Sequence, residues 1–413
     1  MARIMFAWEL GLGFGHLAPY LDLVKALKKK GHVVVFAARD VTNAEKVFGR
    51  EGVVILQAPI MLRKAANPYK VQYNYTQLVH NNGFADPLDL LARVKAWLHL
   101  FQYVRPDVTL FDHSPTALVA ARAVKSKRIL SGSGFLVPPP GYPLPNMRYW
   151  EKFDTPQVQR SEDGVVERIN KVLGAMKIAP LAHMEDLFKA DAQFLLGFGE
   201  LDHYPQRQNG NYLGIFPSAM NAEEPKWPAA GNRRVFAYLH PFKTLPVLLQ
   251  VLKKLGLRTL IYAPDVPDEF KKKHASESIA WAARPLDMKK VAAQCDVGIT
   301  SGTYGTTCDL LLAGKPVLMM PQNLERIMVT RRVLQTRAGL VAPINRPKLF
   351  GPRLRALLAD KRFAEAARAF ARRHAKFTQA WQTETMLAAI ERLSPAASAA
   401  TPAKSPAPQP EAG

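Results

Sequence analysis

The chain of 413 residues predicts an α/β protein made of two doubly wound domains that face one another. Three observations predict it. The length exceeds what one hydrophobic core ordinarily organises. An apolar run, a glycine-rich turn and an amphipathic segment follow one another at the start, in the order strand, turn, helix. The same order begins again after residue 232.

In the first half, residues 3–8 read as a buried strand and not as a signal peptide, because the apolar run is short and meets Glu9 and then glycines. Residues 9–16, E-L-G-L-G-F-G-H, form the turn. A helix follows, with Tyr20, Leu23, Val24 and Leu27 at helical spacing, Lys28–Lys30 in its last turn and Gly31 as its stop. Residues 33–37 are a wholly apolar strand of the parallel-sheet kind. A strand at 108–111 ends at Asp112, and a helix follows at about 115–124. Residues 131–145 are too rich in Pro and Gly to be regular.

In the second half, strands are expected at 235–239, 259–263, 297–300 and 317–320. Helices are expected at 244–255 and from the turn S-G-T-Y-G-T to Leu312, with Gly314 and Pro316 as the stop. These elements divide the chain into domains 1–205 and 233–392, a polar linker 206–232 and an Ala/Pro/Ser-rich tail 393–413, expected to be disordered.

Composition narrows the function classes. An apolar fraction of 48% and an aromatic fraction of 9% are those of a globular chain. The net charge of +22 favours anionic partners: phosphorylated ligands, an acidic membrane surface or nucleic acid. Residues 346–376 carry ten Lys/Arg against Asp360 and Glu365, which reads as a solvated helical face or a membrane-surface patch. No nucleic-acid motif accompanies them, so no nucleic-acid partner is expected. Two cysteines, Cys295 and Cys308, without metal-ligand spacing, fit reduced thiols in a cytoplasm and no metal site. No apolar stretch approaches a membrane span.

Both turns sit where a strand ends and a helix begins, at the sheet edge where ligands of open α/β sheets bind. Gly11, Gly13 and Gly15 permit a sharp bend there. Their spacing, G-x-G-x-G-H, only partly fits the dinucleotide fingerprint G-x-G-x-x-G, and Asp40 stands where a ribose-binding acid would be, so an NAD-dependent oxidoreductase stays open. His16 can serve as a general base if a carboxylate orients it, and Asp112 ends a strand on the same edge. A capping or packing role is the alternative. The second turn, Ser301 to Thr306, offers free backbone N–H groups at a helix start, an anion site. Gly302 and Gly305 admit a diphosphate, and Asp309 lies one turn into the helix, in reach of a ribose hydroxyl.

These residues resemble family-1, UDP-glycosyltransferase-like glycosyltransferases of bacterial type with the two-domain "B" fold (GT-B), two facing Rossmann-like domains. The resemblance rests on G-F-G-H-L-A-P, R-P-D-V-T-L-F-D and S-G-T-Y-G-T-T-C-D-L-L-L-A-G-K-P. It implies that His16 is the base that deprotonates the acceptor and Asp112 its partner. Ser301, Gly302, Thr303, Gly305 and Thr306 would hold the donor diphosphate, aided by His240, and Asp309 the ribose. Ser301 stands for the family's phosphate-binding His and Thr303 for its second Gly. In P-Q-N-L-E-R, Glu325 and Arg326 would hold the donor sugar, Arg326 replacing Gln. Ala283, Arg284 and Leu286 would form the base-binding stretch, without its stacking Trp.

The resemblance implies an inverting, metal-independent transfer from a nucleotide-sugar, a UDP-sugar first, with that donor as co-substrate and no other cofactor. The acceptor would be a small molecule or lipid-linked hydroxyl compound. The cytoplasm is the expected location, with peripheral contact at an anionic inner-membrane surface. A nucleotide-sugar epimerase of the same fold and a non-catalytic nucleotide-sugar-binding protein are the alternatives.

Overall fold

A computed structural model describes residues 1–216 and 222–395. Part of the expected linker, including Pro217, and residues 396–413 of the expected tail lie outside the described residues.

The first parallel sheet has the order β3-β2-β1-β4-β5-β6. Its strands are β1 (Arg3–Trp8), β2 (Val33–Ala38), β3 (Val54–Gln57), β4 (Val108–Asp112), β5 (Lys127–Gly132) and β6 (Ala192–Leu195). The second sheet is also parallel, in the order β12-β11-β10-β7-β8-β9. It comprises β7 (Arg234–Tyr238), β8 (Arg258–Tyr262), β9 (Ile279–Ala282), β10 (Val297–Thr300), β11 (Val317–Met319) and β12 (Gly339–Val341). The expected α/β architecture is therefore present in both halves.

The central strands explain the parallel arrangement. Every residue of β4 and of β10 is buried, as strands covered by helices on both faces require. Apolar layers lie on both sides of each sheet. In each half the direction of strand progression reverses once, between β1 and β4 and between β7 and β10. Such a switch point leaves a crevice beyond the carboxyl ends of its two strands. The glycine turn follows β1, and the Ser301–Thr306 turn follows β10.

The chain does not enter its first helix as directly as the helical spacing predicts. Two 3-10 turns, Phe14–His16 and Ala18–Tyr20, precede the helix Leu21–Lys29. Pro19 falls in the second of these turns, at a helix start, where its missing N–H costs nothing.

Two segments cross between the halves. Phe198, Leu201 and Ile215 join an apolar layer of the second sheet. The last helix, Gln379–Leu393, returns to the first sheet, where Met386, Ala389 and Ile390 pack in the layer that holds Leu23 and Leu27. Gln382 Nε2, buried, donates to the Gly214 carbonyl at 2.9 Å. A smaller apolar cluster joins the halves, with Phe135 and Met147 against Tyr204 and Met328. The Arg331 guanidinium lies 4.2 Å from the Trp150 ring centroid.

The basic stretch at 346–376 is largely helical. Its helix Lys361–Arg373 buries Ala367 and Phe370. Arg373 pairs with Glu200 at 2.7 Å. Among the described residues, no helix is long and apolar enough to cross a membrane.

Candidate active site

The first switch point brings His16 and Asp112 together across 96 residues. His16 Nδ1 lies 2.7 Å from Asp112 Oδ1, with side-chain exposures of 14% and 7%. The Tyr20 hydroxyl lies 2.8 Å from Asp112 Oδ2 and 2.9 Å from Ser131 Oγ. With one proton, it donates to the carboxylate and accepts from the serine. Asp112 is thus held on both oxygens, and the Nδ1–H it accepts leaves His16 Nε2 as the basic nitrogen.

Trp8 stacks on the His16 ring at 5.2 Å and 17°. Gly11 has φ 88°, and a Cβ there would fall 2.2 Å from His16 Nε2, so only glycine lets the imidazole lie over this backbone. Gly13 (φ 79°) supplies the second bend, while Gly15 shows neither a positive φ nor a close neighbour.

Burial lowers the His16 pKa. The charge and hydrogen bond of Asp112, with a contribution from Glu325, outweigh that, and the net value is above the ordinary 6.5. His113, next along the chain, behaves in the opposite way. Burial and the charges of His16 and Arg39 push its pKa down to about 3, so it is neutral. Its ring stands 6.2 Å from that of His16 and 6.0 Å from that of Tyr75, and neither ring nitrogen has a partner among the described residues.

The second switch point holds the turn expected to cradle an anion. Ser301 is fully buried, and its Oγ has no partner among the described residues; Thr303 Oγ1 also lacks one. Thr303 is the N-cap of the helix Tyr304–Leu312 and makes no side-chain cap bond, so the first N–H groups, including those of Gly305 and Thr306, are not capped by it. Gly302 has φ 88°, and a Cβ there would lie 2.9 Å from Arg326 Cβ and 3.1 Å from the Arg326 carbonyl oxygen. Close backbone approach therefore demands glycine at 302. Asp309 lies in the second turn of this helix, too far in for a first-turn dipole role. Burial, opposed by Lys289, raises its pKa to about 7.

Beyond β7, His240 Nδ1 lies 2.8 Å from Asp265 Oδ2, and its buried Nε2 has no partner among the described residues. Glu325 and Arg326 open the helix Leu324–Gln335, with Asn323 as the cap, accepting from Arg326 N at 3.0 Å. Burial raises the Glu325 pKa, opposed first by the charge of His16 and then by that of Arg326. Each of Glu325 and His16 shifts the other's titration, so the two charges stand within electrostatic reach of one another.

The base-binding stretch is only partly available. Ala283 and Arg284 are exposed beyond β9, and Arg284 Nε lies 3.4 Å from Glu223 Oε1. Leu286 is different: at 7% exposure it belongs to the apolar layer of the second sheet, so its side chain is core and does not face a ligand. Trp281, in β9, packs edge-on against Phe270.

Sequence reasoning missed the supports of the site. Tyr20 reads as an apolar position by spacing, yet its hydroxyl orients Asp112. Glu9 is 1% exposed and braces the glycine turn, accepting from Trp97 Nε1 at 2.8 Å and from the backbone N–H groups of Thr116 and Ala117. Asp265 and Ser131 carry no sequence signal; Glu9 carries one, a lone acid ending an apolar strand.

Neither a protein-family model nor a curated protein sequence matches this one. Among solved structures, the chain is similar to the glycosyltransferase VinC in complex with dTDP, at 15% identity and TM-score 0.69, over 95% of this chain and 99% of that one. It is similar to the glycotransferase of kitacinnamycin at 19% identity and TM-score 0.70, over 95% and 99%. It is also similar to the spinosyn rhamnosyltransferase SpnG complexed with spinosyn aglycone, at 18% identity and TM-score 0.68, over 94% and 100%. The likeness spans nearly the whole of each chain, and it establishes that this protein has the two-domain GT-B architecture of these glycosyltransferases.

Proposed function

We propose that the protein is a glycosyltransferase that moves a sugar from a nucleoside diphosphate donor to a hydroxyl acceptor with inversion. The observation that carries this reading is the His16–Asp112 pair at one switch point, with Glu325, whose charge reaches His16, next in the chain to the Arg326 that packs on Gly302 at the other. His16 Nε2 takes the acceptor proton, with Asp112 holding the tautomer and stabilising the imidazolium. The acceptor oxygen attacks the anomeric carbon, and the bond to the diphosphate breaks on the opposite face. The leaving charge develops against the Ser301 hydroxyl and the backbone N–H groups at the start of helix Tyr304–Leu312. His240, oriented by Asp265, reaches the diphosphate. Asp309 holds the ribose, and Glu325 and Arg326 the sugar.

Metal independence follows from this reading, since fixed donors and the helix end neutralise the leaving group. UDP is the base implied by the motifs; dTDP, bound in VinC and in SpnG, is the second to test. The location proposed is the cytoplasm, with the basic helices available to an anionic membrane surface.

His16→Ala should lower transfer at least a hundredfold while the donor dissociation constant stays within about twofold. Undiminished turnover removes His16 from the role of base. EDTA should leave activity intact, and loss of activity restored by Mg²⁺ overturns the metal-free claim. Donor binding without any transfer favours the non-catalytic alternative, and sugar isomerisation without acceptor favours the epimerase.

A further inference from the structure

The acceptor side of the cleft holds a cation that nothing else in the mechanism uses. Arg39 follows β2, the strand beside β1, and is half-buried. Its Nη1 donates to the Glu9 carbonyl at 2.8 Å, which ties it to the residue that opens the glycine turn of His16. Among the described residues it makes no ion pair.

The acid next to it in the chain and those at the glycine turn and the end of β4 are already engaged. Asp40 caps the helix Val41–Phe48, accepting from Asn43 N at 2.9 Å and Asn43 Nδ2 at 2.8 Å. The Glu9 carboxylate accepts from Trp97, Thr116 and Ala117. Asp112 is occupied by His16 and Tyr20. The Arg39 charge reaches both His16 and His113. A half-buried guanidinium retains strong attraction for an anion, and its fork matches an oxyanion.

The rim repeats the sign. The segment 58–74, which follows β3 at the same sheet edge, contains Arg63, Lys64 and Lys70 and no Asp or Glu. All three cations are exposed and, among the described residues, none makes an ion pair. Cations on this edge of the first sheet that make no ion pair among the described residues leave an excess positive field on the acceptor side that a neutral acceptor would not fill.

We infer that the acceptor carries an anionic group, a carboxylate or a phosphate monoester, which Arg39 seats beside His16. The neutral His113 ring, with one N–H and no protein partner among the described residues, stands next to that seat. This inference rests on the transferase reading and adds to it the class of acceptor.

The test divides a cell extract by anion exchange into retained and unretained fractions and incubates each with the protein and a panel of UDP- and dTDP-sugars. Mass spectrometry then looks for the sugar mass increment. Product confined to the retained fraction is the expected result. Product only in the unretained fraction overturns the anionic seat while upholding the transferase. Product in neither overturns the transferase reading and this inference with it. Alkaline phosphatase applied to the retained fraction beforehand separates the two sources, since it abolishes a phosphorylated acceptor and spares a carboxylate.

On the product-forming acceptor, Arg39→Gln should raise KM at least tenfold with an unchanged donor dissociation constant, and Arg39→Lys should recover part of it. Equal KM in Arg39→Gln and wild type overturns the seat. If the Gln variant does not fold, the Lys variant decides: it keeps the charge without the fork, so an unaltered KM at lowered ionic strength and a salt-insensitive KM in both proteins together contradict an anion at this position.

Discussion

Asp112 works because both of its oxygens are committed, one to His16 and one to Tyr20. The pair raises the His16 pKa above 6.5, so the basic form of the imidazole gains as pH rises through that raised value, and transfer should rise with it. Asp112→Asn removes the charge and leaves burial, which lowers the His16 pKa. The acidic limb of the kcat/KM profile should therefore move to lower pH while the plateau falls about a hundredfold or more. A limb that stays in place would separate Asp112 from the base. Asp309 provides a second titration. With its pKa raised to about 7, it gains its charge between pH 6 and 8, and a ribose hydroxyl is held better by the carboxylate than by the acid. The nucleoside diphosphate affinity of wild type relative to Asp309→Asn should grow over that range, and a constant ratio removes Asp309 from the ribose. His16 and Asp112 were legible because one closes a glycine turn and the other ends a strand; Leu286 shows the reverse, a motif position that the core claims.

At the scale of elements, the strands that the apolar runs predict are mostly the inner ones. Those they did not place, β3, β5, β6, β9 and β12, include all four sheet edges. Edge strands are covered on fewer sides: no residue of β3 is buried, although Val54, Ile55 and Leu56 are a continuous apolar run. The glycine turns were legible as turns, but what each glycine must avoid was not. Gly302 avoids the Cβ and carbonyl of Arg326, which lies 24 residues ahead. Gly302→Ala combines a strained φ of 88° with that contact. It should destabilise the fold by about 1–3 kcal/mol and weaken donor binding. Thermal melting and donor titration check both, and an unaltered melting temperature would contradict the packing.

At the scale of the molecule, the two halves are interlaced. The last helix belongs to the second half by chain order and to the first by contact. Ile390, fully buried under the first sheet, ties the far end of the chain to its start. Ile390→Ala should cost about 2–5 kcal/mol in denaturant unfolding, and an unchanged midpoint would mean that the helix does not dock there. The Tyr304 hydroxyl accepts from Phe198 N at 3.2 Å, so the helix that begins the anion cradle is also fastened to the crossing segment.

The sequence by itself determined two α/β units, the glycine turns where strand passes to helix, His16 at the close of the first turn, and Asp112 at a strand end. Those features follow from local periodicity and from residue types that few backbone conformations tolerate. Only the tertiary structure decided that Tyr20, held by Ser131, orients Asp112, that the Glu325 charge reaches His16, that Arg39 makes no ion pair among the described residues, and that the last helix returns to the first sheet. These contacts span tens to hundreds of residues, and their partners are selected by packing in three dimensions, which leaves no periodic trace along the chain.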